Sequence, residues 1–247
     1  MKQRGTWRDG FRQPRVSTVD PLTGYDRWAK AYAHEENPVL ELEGRVLNRL
    51  LPDLEGKCVL DIGCGTGRVT RILAERNAAR ITGVDFSINM LVQARKQLRG
   101  SDRTQLAAAE ALALPFANES FDLVTCSLMI SHVEALQRFV VELARVARPG
   151  SHLLISEFHP FGHLLGWKRS FVERRSSGVE RIAIRYHRYL HEDYFRAFKN
   201  EHLEIEELCE PCIDESVKHF FQGSRADLAN YRQFFGYPLI LFFKLKV

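Results

Sequence analysis

The 247-residue chain lacks any apolar run long enough to cross a bilayer: stretches such as Leu239 to Phe243 stop far short of the roughly 20 residues a membrane helix needs. Its basic N-terminus also lacks the apolar segment of a secretory signal, so no membrane span and a cytoplasmic location are expected. Cysteine is scarce. The five cysteines are odd in number and scattered through a chain large enough to fold without covalent staples, which predicts reduced thiols. Cys209 and Cys212 form a C-x-x-C pair, but no second pair stands elsewhere to complete a zinc site, and no metal is expected. A large excess of either charge is missing too. The 35 Lys and Arg against 31 Asp and Glu leave a formal charge of +4, which excludes a strongly acidic chain. Nucleic acid is disfavoured as a partner because it calls for concentrated basic patches or a binding module. Internal repeats and low-complexity tracts are also absent. What remains, at 45% hydrophobic and 27% charged residues, is the composition of an ordinary globular protein with one large domain.

Residues 1–20 carry Lys2, Arg4, Arg8, Arg12 and Arg15 among Gly, Gln and Pro without apolar periodicity, which predicts a mobile basic arm ahead of a single domain over 21–247. Tyr25 to Ala33 reads as a short amphipathic helix. Asn37-Pro38 supplies a capping side chain followed by proline at the first helical position, so a helix is predicted over 38–51, its apolar face marked by Val39, Leu42, Val46, Leu47 and Leu50. From Lys57 onward short apolar runs alternate with helical patterns. Strands are predicted at 58–62, 81–84, 105–109, 123–126 and 153–155, an alternation that gives a parallel sheet with helices on both faces. Ligands of such sheets sit at the carboxyl ends of strands where the strand order reverses. The pattern breaks after Glu157, and 158–190 is expected to be an insertion or lid. Two further strands are predicted around 203–210 and 238–246.

The first strand runs into Asp61-Ile62-Gly63-Cys64-Gly65-Thr66-Gly67, a glycine-rich turn whose backbone amides a ligand can approach directly. A dinucleotide fold would set its third glycine one position later than Gly67. A carboxylate at Asp61 suits a ligand with a cationic amino group and would oppose a pyrophosphate. The next strand ends in Asp85-Phe86-Ser87. Asp85 is placed to accept both hydroxyls of a ribose, Ser87 to cap the following helix, and Met90 to lay its thioether against a flat ring. The third strand ends at Ala109-Glu110-Ala111, where a carboxylate can accept an exocyclic amino group.

In this order, from about Val59 to Glu157, the segments resemble the class I S-adenosylmethionine-dependent methyltransferases, the broad branch that includes quinone-biosynthesis and other small-molecule enzymes. The segment from Cys126 to His132 and the turn Arg148-Pro149-Gly150 look like landmarks of the same family. Glu110 stands where many relatives have Asp, and Ser151 where a second glycine is common. The resemblance implies a Rossmann-like, seven-stranded, mostly parallel α/β sheet with helices on both faces and a terminal antiparallel strand, for which Tyr237 to Val247 is the candidate. It implies S-adenosylmethionine as cofactor, held by Asp61, Gly63, Cys64, Gly65 and Gly67, by Asp85, Phe86 and Met90, by Ala109, Glu110 and Ala111, and by Ser127. Tyr25 and Trp28 would fold over it, with Tyr32 at the same helical spacing.

Methyl transfer needs alignment more than a protein nucleophile, and a base only if the acceptor atom must lose a proton. His132 and His159, just after the fourth and fifth strands, are the candidate bases. Between Lys168 and Lys199 the arginines 169, 174, 175, 181, 185, 188 and 196 outnumber the acids, so the small acceptor expected here, aromatic or anionic, has cations available to it. The competing expectation is a non-catalytic protein that binds the nucleoside and acts through protein partners.

Overall fold

Strands form wherever β-branched and aliphatic residues alternate between two buried faces. The computed structural model, which describes residues 15–175 and 178–247, contains ten of them. They are β1 (Arg15–Val19), β2 (Cys58–Ile62), β3 (Arg80–Asp85), β4 (Thr104–Ala108), β5 (Phe121–Ser127), β6 (Ala147–Phe158), β7 (Ser170–Arg175), β8 (Gly178–Ile184), β9 (Glu204–Cys209) and β10 (Ile240–Lys246). Seven make one sheet in the order β4-β3-β2-β5-β6-β10-β9. The pairings from β4 across to β6 are parallel, whereas β10 runs antiparallel to both β6 and β9. The chain builds outward from β2 to β4 and then returns to lay β5 on the other side of β2, which puts the reversal of strand order between β2 and β5.

Each strand's alternation divides its residues between the two faces. Leu60 and Ile62 of β2, Leu153 and Ile155 of β6, and Leu241 and Phe243 of β10 pack into one core, while Val59, Leu154, Ile240 and Phe242 pack into the other. The first is covered by α5 (Leu136–Val146) and α7 (His191–Asn200), and the second by α2 (Pro38–Leu50) and α3 (Arg68–Glu75). In α5 the buried positions Leu136, Phe139, Val140, Leu143 and Val146 recur at three and four residues, one face of a helix. Asn37 caps α2 by accepting from Leu40 N at 3.0 Å, with Pro38 at the first helical position.

The second sheet, β1-β8-β7, is where the structure differs from the sequence expectation. Residues 1–14 of the expected arm lie outside the described residues, but Arg15–Val19 of that stretch form β1, paired in parallel with β8. Val16, Thr18 and Val19 are strand formers that the basic composition around them conceals. The 158–190 segment, expected as an insertion or lid, contains the short helix α6 (Pro160–Leu164) and the β7-β8 hairpin. A third core of Trp28, Ala29, Phe171, Ile182 and Ile184 joins that hairpin to α1 (Pro21–Tyr32). Asp26 of α1 accepts from Ser87 Oγ and so ties the helix to the start of α4 (Ile88–Gln97). Among the described residues no helix is long and apolar enough to cross a membrane.

Candidate functional site

The glycine turn after β2 is set by its neighbours. Gly63 has φ +66°, and a Cβ there would stand 2.7 Å from Met129 Cγ; Gly67 has φ +88° and would place a Cβ 3.1 Å from Leu98 Cδ1. Both therefore need glycine, for conformation and for space. Below the turn lies Asp61, buried, its two oxygens accepting from Thr70 Oγ1 at 2.6 Å and Thr125 Oγ1 at 2.8 Å. Burial pushes its carboxyl up to about 6 against the pull of those hydroxyls. Asp85, at the end of β3, accepts from Gly65 N and Ser87 N, both at 2.9 Å, so one carboxylate fastens the turn and the start of α4 to the same strand end. Burial raises it to about 6 as well, opposed by those amides.

At the reversal between β2 and β5 a cavity of about 260 Å³ opens, walled by the carboxyl ends of β2 to β5. Gly63 and Gly65, Asp85, Phe86 and Met90, and Ala109, Glu110 and Ala111 all line it, as do Ser127, Tyr25 and His132. These residues are thus brought to one place from six separate segments. Four others expected there are not on its wall. Asp61 spends its oxygens on threonines beneath the turn. Cys64 is buried with its sulfur against the Gly83 position, backing the turn onto β3. Gly67 packs on Ala94 and Leu98 at the start of α3. Trp28 points away, stacked on Phe171 at 5.1 Å and edge-on to Tyr32 at 5.0 Å, so it anchors the covering helix to the β7-β8 hairpin instead of facing the cavity. Ser127 lines the wall, but its hydroxyl donates to Glu43 Oε1 at 2.8 Å.

The two candidate bases have different surroundings. His132 Nδ1 faces the carbonyl of Arg185 at 3.1 Å; a carbonyl only accepts, so Nδ1 carries the proton and Nε2 accepts from Tyr25 Oη at 2.8 Å. Tyr25 Oη in turn accepts from Arg169 at 2.9 Å. Burial, joined by the nearby Arg169 charge, pushes the His132 imidazole down to about 3, and burial raises the Tyr25 phenol. The ring is thus neutral, weakly basic, and already engaged. His159 lies outside the larger cavity, on a smaller one of about 60 Å³ that also touches His132, Trp167, Arg169 and Tyr186. Its Nδ1 accepts from Phe161 N at 3.1 Å, which places its proton on Nε2, directed at Glu210 Oε1 at 3.0 Å. With neither nitrogen free, His159 is a turn-capping histidine, and burial lowers its pKa. His191 reaches the same Glu210 oxygen at 2.8 Å. The three side chains cluster closely enough to surround an ion, yet the Phe161 amide leaves His159 presenting an N–H rather than a lone pair.

Two features were not singled out by the sequence. Arg169, until then one arginine among seven, lines the cavity, as does Met129 of the Cys126–His132 segment. Glu43, fully buried on α2, accepts from Ser127 and Ser156 through Oε1, while Arg68 approaches Oε2 at 2.7 Å as an ion pair outside hydrogen-bond angles. A buried acid in an otherwise amphipathic helix was the available signal. A wider open depression of about 940 Å³ lies at the amino ends of the strands, around Cys58, Arg80 and Thr104, where this topology does not place ligands.

A methyltransferase-domain family model matches residues 60–155, the stretch that supplies most of the cavity's wall. Residues 60–155 are thus similar to methyltransferase domains. The chain is 37% identical over 110 residues to a demethylmenaquinone methyltransferase of Clavibacter sepedonicus, covering 44% of each protein. It is 34% identical over 127 residues to the methyltransferase GfsG of Streptomyces halstedii, covering 49% of this chain and 46% of that one. The chain thus spans about half the length of the curated relatives it matches. Among solved structures, an S-adenosylmethionine-dependent methyltransferase from Mesorhizobium loti superposes with a TM-score of 0.65 at 24% identity, over 83% of this chain and 98% of that one, which shows the shared fold. The methyltransferase domain's cofactor fits the donor set. Two carboxylates stand on consecutive strand ends, glycine backbone lies beside them, and Ile62, Val84, Phe86, Met90 and Leu112 supply apolar surface for a flat base.

Proposed function

We propose that the chain transfers the methyl group of S-adenosylmethionine to an oxygen, carbon or nitrogen atom of a small acceptor. The observation that carries this reading is the convergence of Asp85, Glu110 and the Gly63–Gly65 turn on one cavity at the strand-order reversal, beneath Tyr25 and Tyr32. Asp85 would accept from the ribose hydroxyls, its orientation fixed by two amides; Glu110 would accept from the adenine amino group; Phe86 and Met90 would flank the base. When bound, the cofactor supplies a methyl carbon made electrophilic by the adjacent sulfonium. The protein's part is alignment and exclusion of water, and α1, fastened through Trp28 and Asp26, keeps Tyr25 over the cavity.

His132 acts in this reading as a positioning residue. Its Nε2 holds the Tyr25 hydroxyl, and with an imidazole near 3 it is a poor proton acceptor. Relatives that are demethylmenaquinone methyltransferases support a small acceptor. A protein that only bound the nucleoside would have no need of space beyond it, whereas here the cavity continues past Ser127 to His132 and Arg169, which it shares with the smaller cavity. The test is transfer of label from methyl-labelled S-adenosylmethionine to a panel of phenols, quinols, amines and carboxylates. Labelled product above the protein-free control is expected. Tight binding of S-adenosylhomocysteine with no labelled product from any acceptor would favour the binding-protein reading.

A further inference from the structure

Several part-buried arginines of this chain are matched by a carboxylate. Arg27 pairs with Glu173, Arg68 with Glu43, Arg145 with Glu142 and Arg148 with Asp122. Arg169 is different. Among the described residues no carboxylate lies within ion-pair distance of it, and its recorded hydrogen bonds run from one nitrogen, Nη1, to two neutral acceptors, Tyr25 Oη at 2.9 Å and the Leu128 carbonyl at 3.2 Å. Glu157 and Glu35 reach it only through space: Glu157 has its oxygens occupied by Ser131 N at 2.6 Å and Phe158 N at 2.7 Å, and Glu35 Oε1 accepts from Asn37 at 2.9 Å. The guanidinium is half-buried among the rings of Phe158, Tyr32 and Tyr25, at 4.9, 5.8 and 5.9 Å from its central carbon. It also lines both cavities, so its remaining N–H groups border the space between the nucleoside site and the aromatic pocket of Trp167 and Tyr186.

We infer that Arg169 is the specificity-determining residue of an anion subsite, and that the acceptor is an aromatic carboxylate whose oxygens take the free N–H edge of this guanidinium. The inference rests on the methyl-transfer reading for the meaning of acceptor. A guanidinium presents donors in a planar fork that matches a carboxylate, and a partly desolvated cation without a counter-anion is unfavourable, which an incoming carboxylate relieves. A cation facing the place of a sulfonium would repel it in a low-dielectric pocket. An anion held between the two turns that repulsion into attraction. The rings around the smaller cavity provide flat apolar surface for the rest of an aromatic acid.

The full chain, with and without S-adenosylhomocysteine, is titrated by calorimetry with benzoate, cinnamate and 2-naphthoate and with their uncharged amides. Arg169→Gln and Arg169→Lys are titrated alongside, their folding checked by circular dichroism. At least one carboxylate is expected to bind wild type at least about tenfold more tightly than its amide, and this preference is lost in Arg169→Gln and reduced in Arg169→Lys. S-adenosylhomocysteine is titrated into both variants as a separate readout of the cofactor site. Equal affinity for each acid and its amide, absence of binding included, overturns the inference. So does a variant that loses S-adenosylhomocysteine affinity but keeps that of 5′-methylthioadenosine, because Arg169 would then hold the cofactor's own carboxylate. If wild type binds no S-adenosylhomocysteine, the cofactor reading fails. The acid-against-amide comparison on the free protein still decides the anion subsite, and should Arg169→Gln not fold, wild type and Arg169→Lys decide it.

Discussion

Replacing Asp61 by Asn tests whether this carboxylate is a buried structural acid under the glycine turn. Its carboxyl is raised from 3.8 to about 6, with burial as the main cause, and the side chain is 1% exposed, so solvent screening is slight. A displacement of that size corresponds to about 3 kcal/mol at 1.36 kcal/mol per pH unit. Because the pKa is higher in the folded than in the unfolded chain, the folded state binds more protons between the two values. The stabilisation from protonated Asp61 is complete below 3.8 and is lost as pH rises through about 6. Between pH 4.5 and 7.5 that linkage removes about 2 kcal/mol from wild type and nothing from Asp61→Asn. Asn presents a donor where one threonine needs an acceptor, so the variant should be less stable at pH 4.5, and its deficit should shrink by about 2 kcal/mol at pH 7.5. Urea unfolding of both proteins at the two pH values measures this. A deficit that stays constant with pH, or grows, would refute the assignment of Asp61 as a desolvated acid.

Asp85→Ala should weaken S-adenosylhomocysteine binding at least about tenfold by calorimetry while leaving the circular dichroism spectrum native, since it removes a ribose acceptor and the anchor of Gly65 N. Glu43→Ala strands Arg68 and two serine hydroxyls in the interior, and urea unfolding should show a loss of about 3–5 kcal/mol; a loss below about 1 kcal/mol would mean the cluster is solvated. Trp28→Ala removes the ring that joins α1 to Phe171. Amide exchange should accelerate in α1 and in the β7-β8 hairpin more than in β5 or β6, and uniform acceleration would contradict a separately anchored cover.

The central sheet was readable because its strands are short apolar runs punctuated by glycine and helical periods. Those expected around 58–62, 81–84 and 238–246 appear as Cys58–Ile62, Arg80–Asp85 and Ile240–Lys246. A cover from 158–190 and the segment around Tyr25 was expected, but its strands were not readable, for a physical reason. β1 pairs in parallel with β8 across some 165 residues of sequence, a contact no local period encodes, and in its sheet Val16, Val172 and Val179 are exposed, which blurs the alternation. On the cavity wall, residues inside compact motifs such as Gly63, Asp85 and Glu110 were legible, because a turn and a strand end fix where they go. Motif position alone could not separate Asp61 and Cys64, which support the turn from below, from the residues above them. Arg169 looked like one cation among many, and the absence of a carboxylate beside it exists only in three dimensions.

The most direct measurement is calorimetric titration of the full chain with S-adenosylmethionine and S-adenosylhomocysteine, with NAD as the control. If Asp85, Glu110 and the Gly63–Gly65 turn form a nucleoside-amino-acid site, both sulfur compounds bind with affinities near micromolar and NAD does not bind. Absence of binding by either sulfur compound, or equal binding of NAD, would contradict the account.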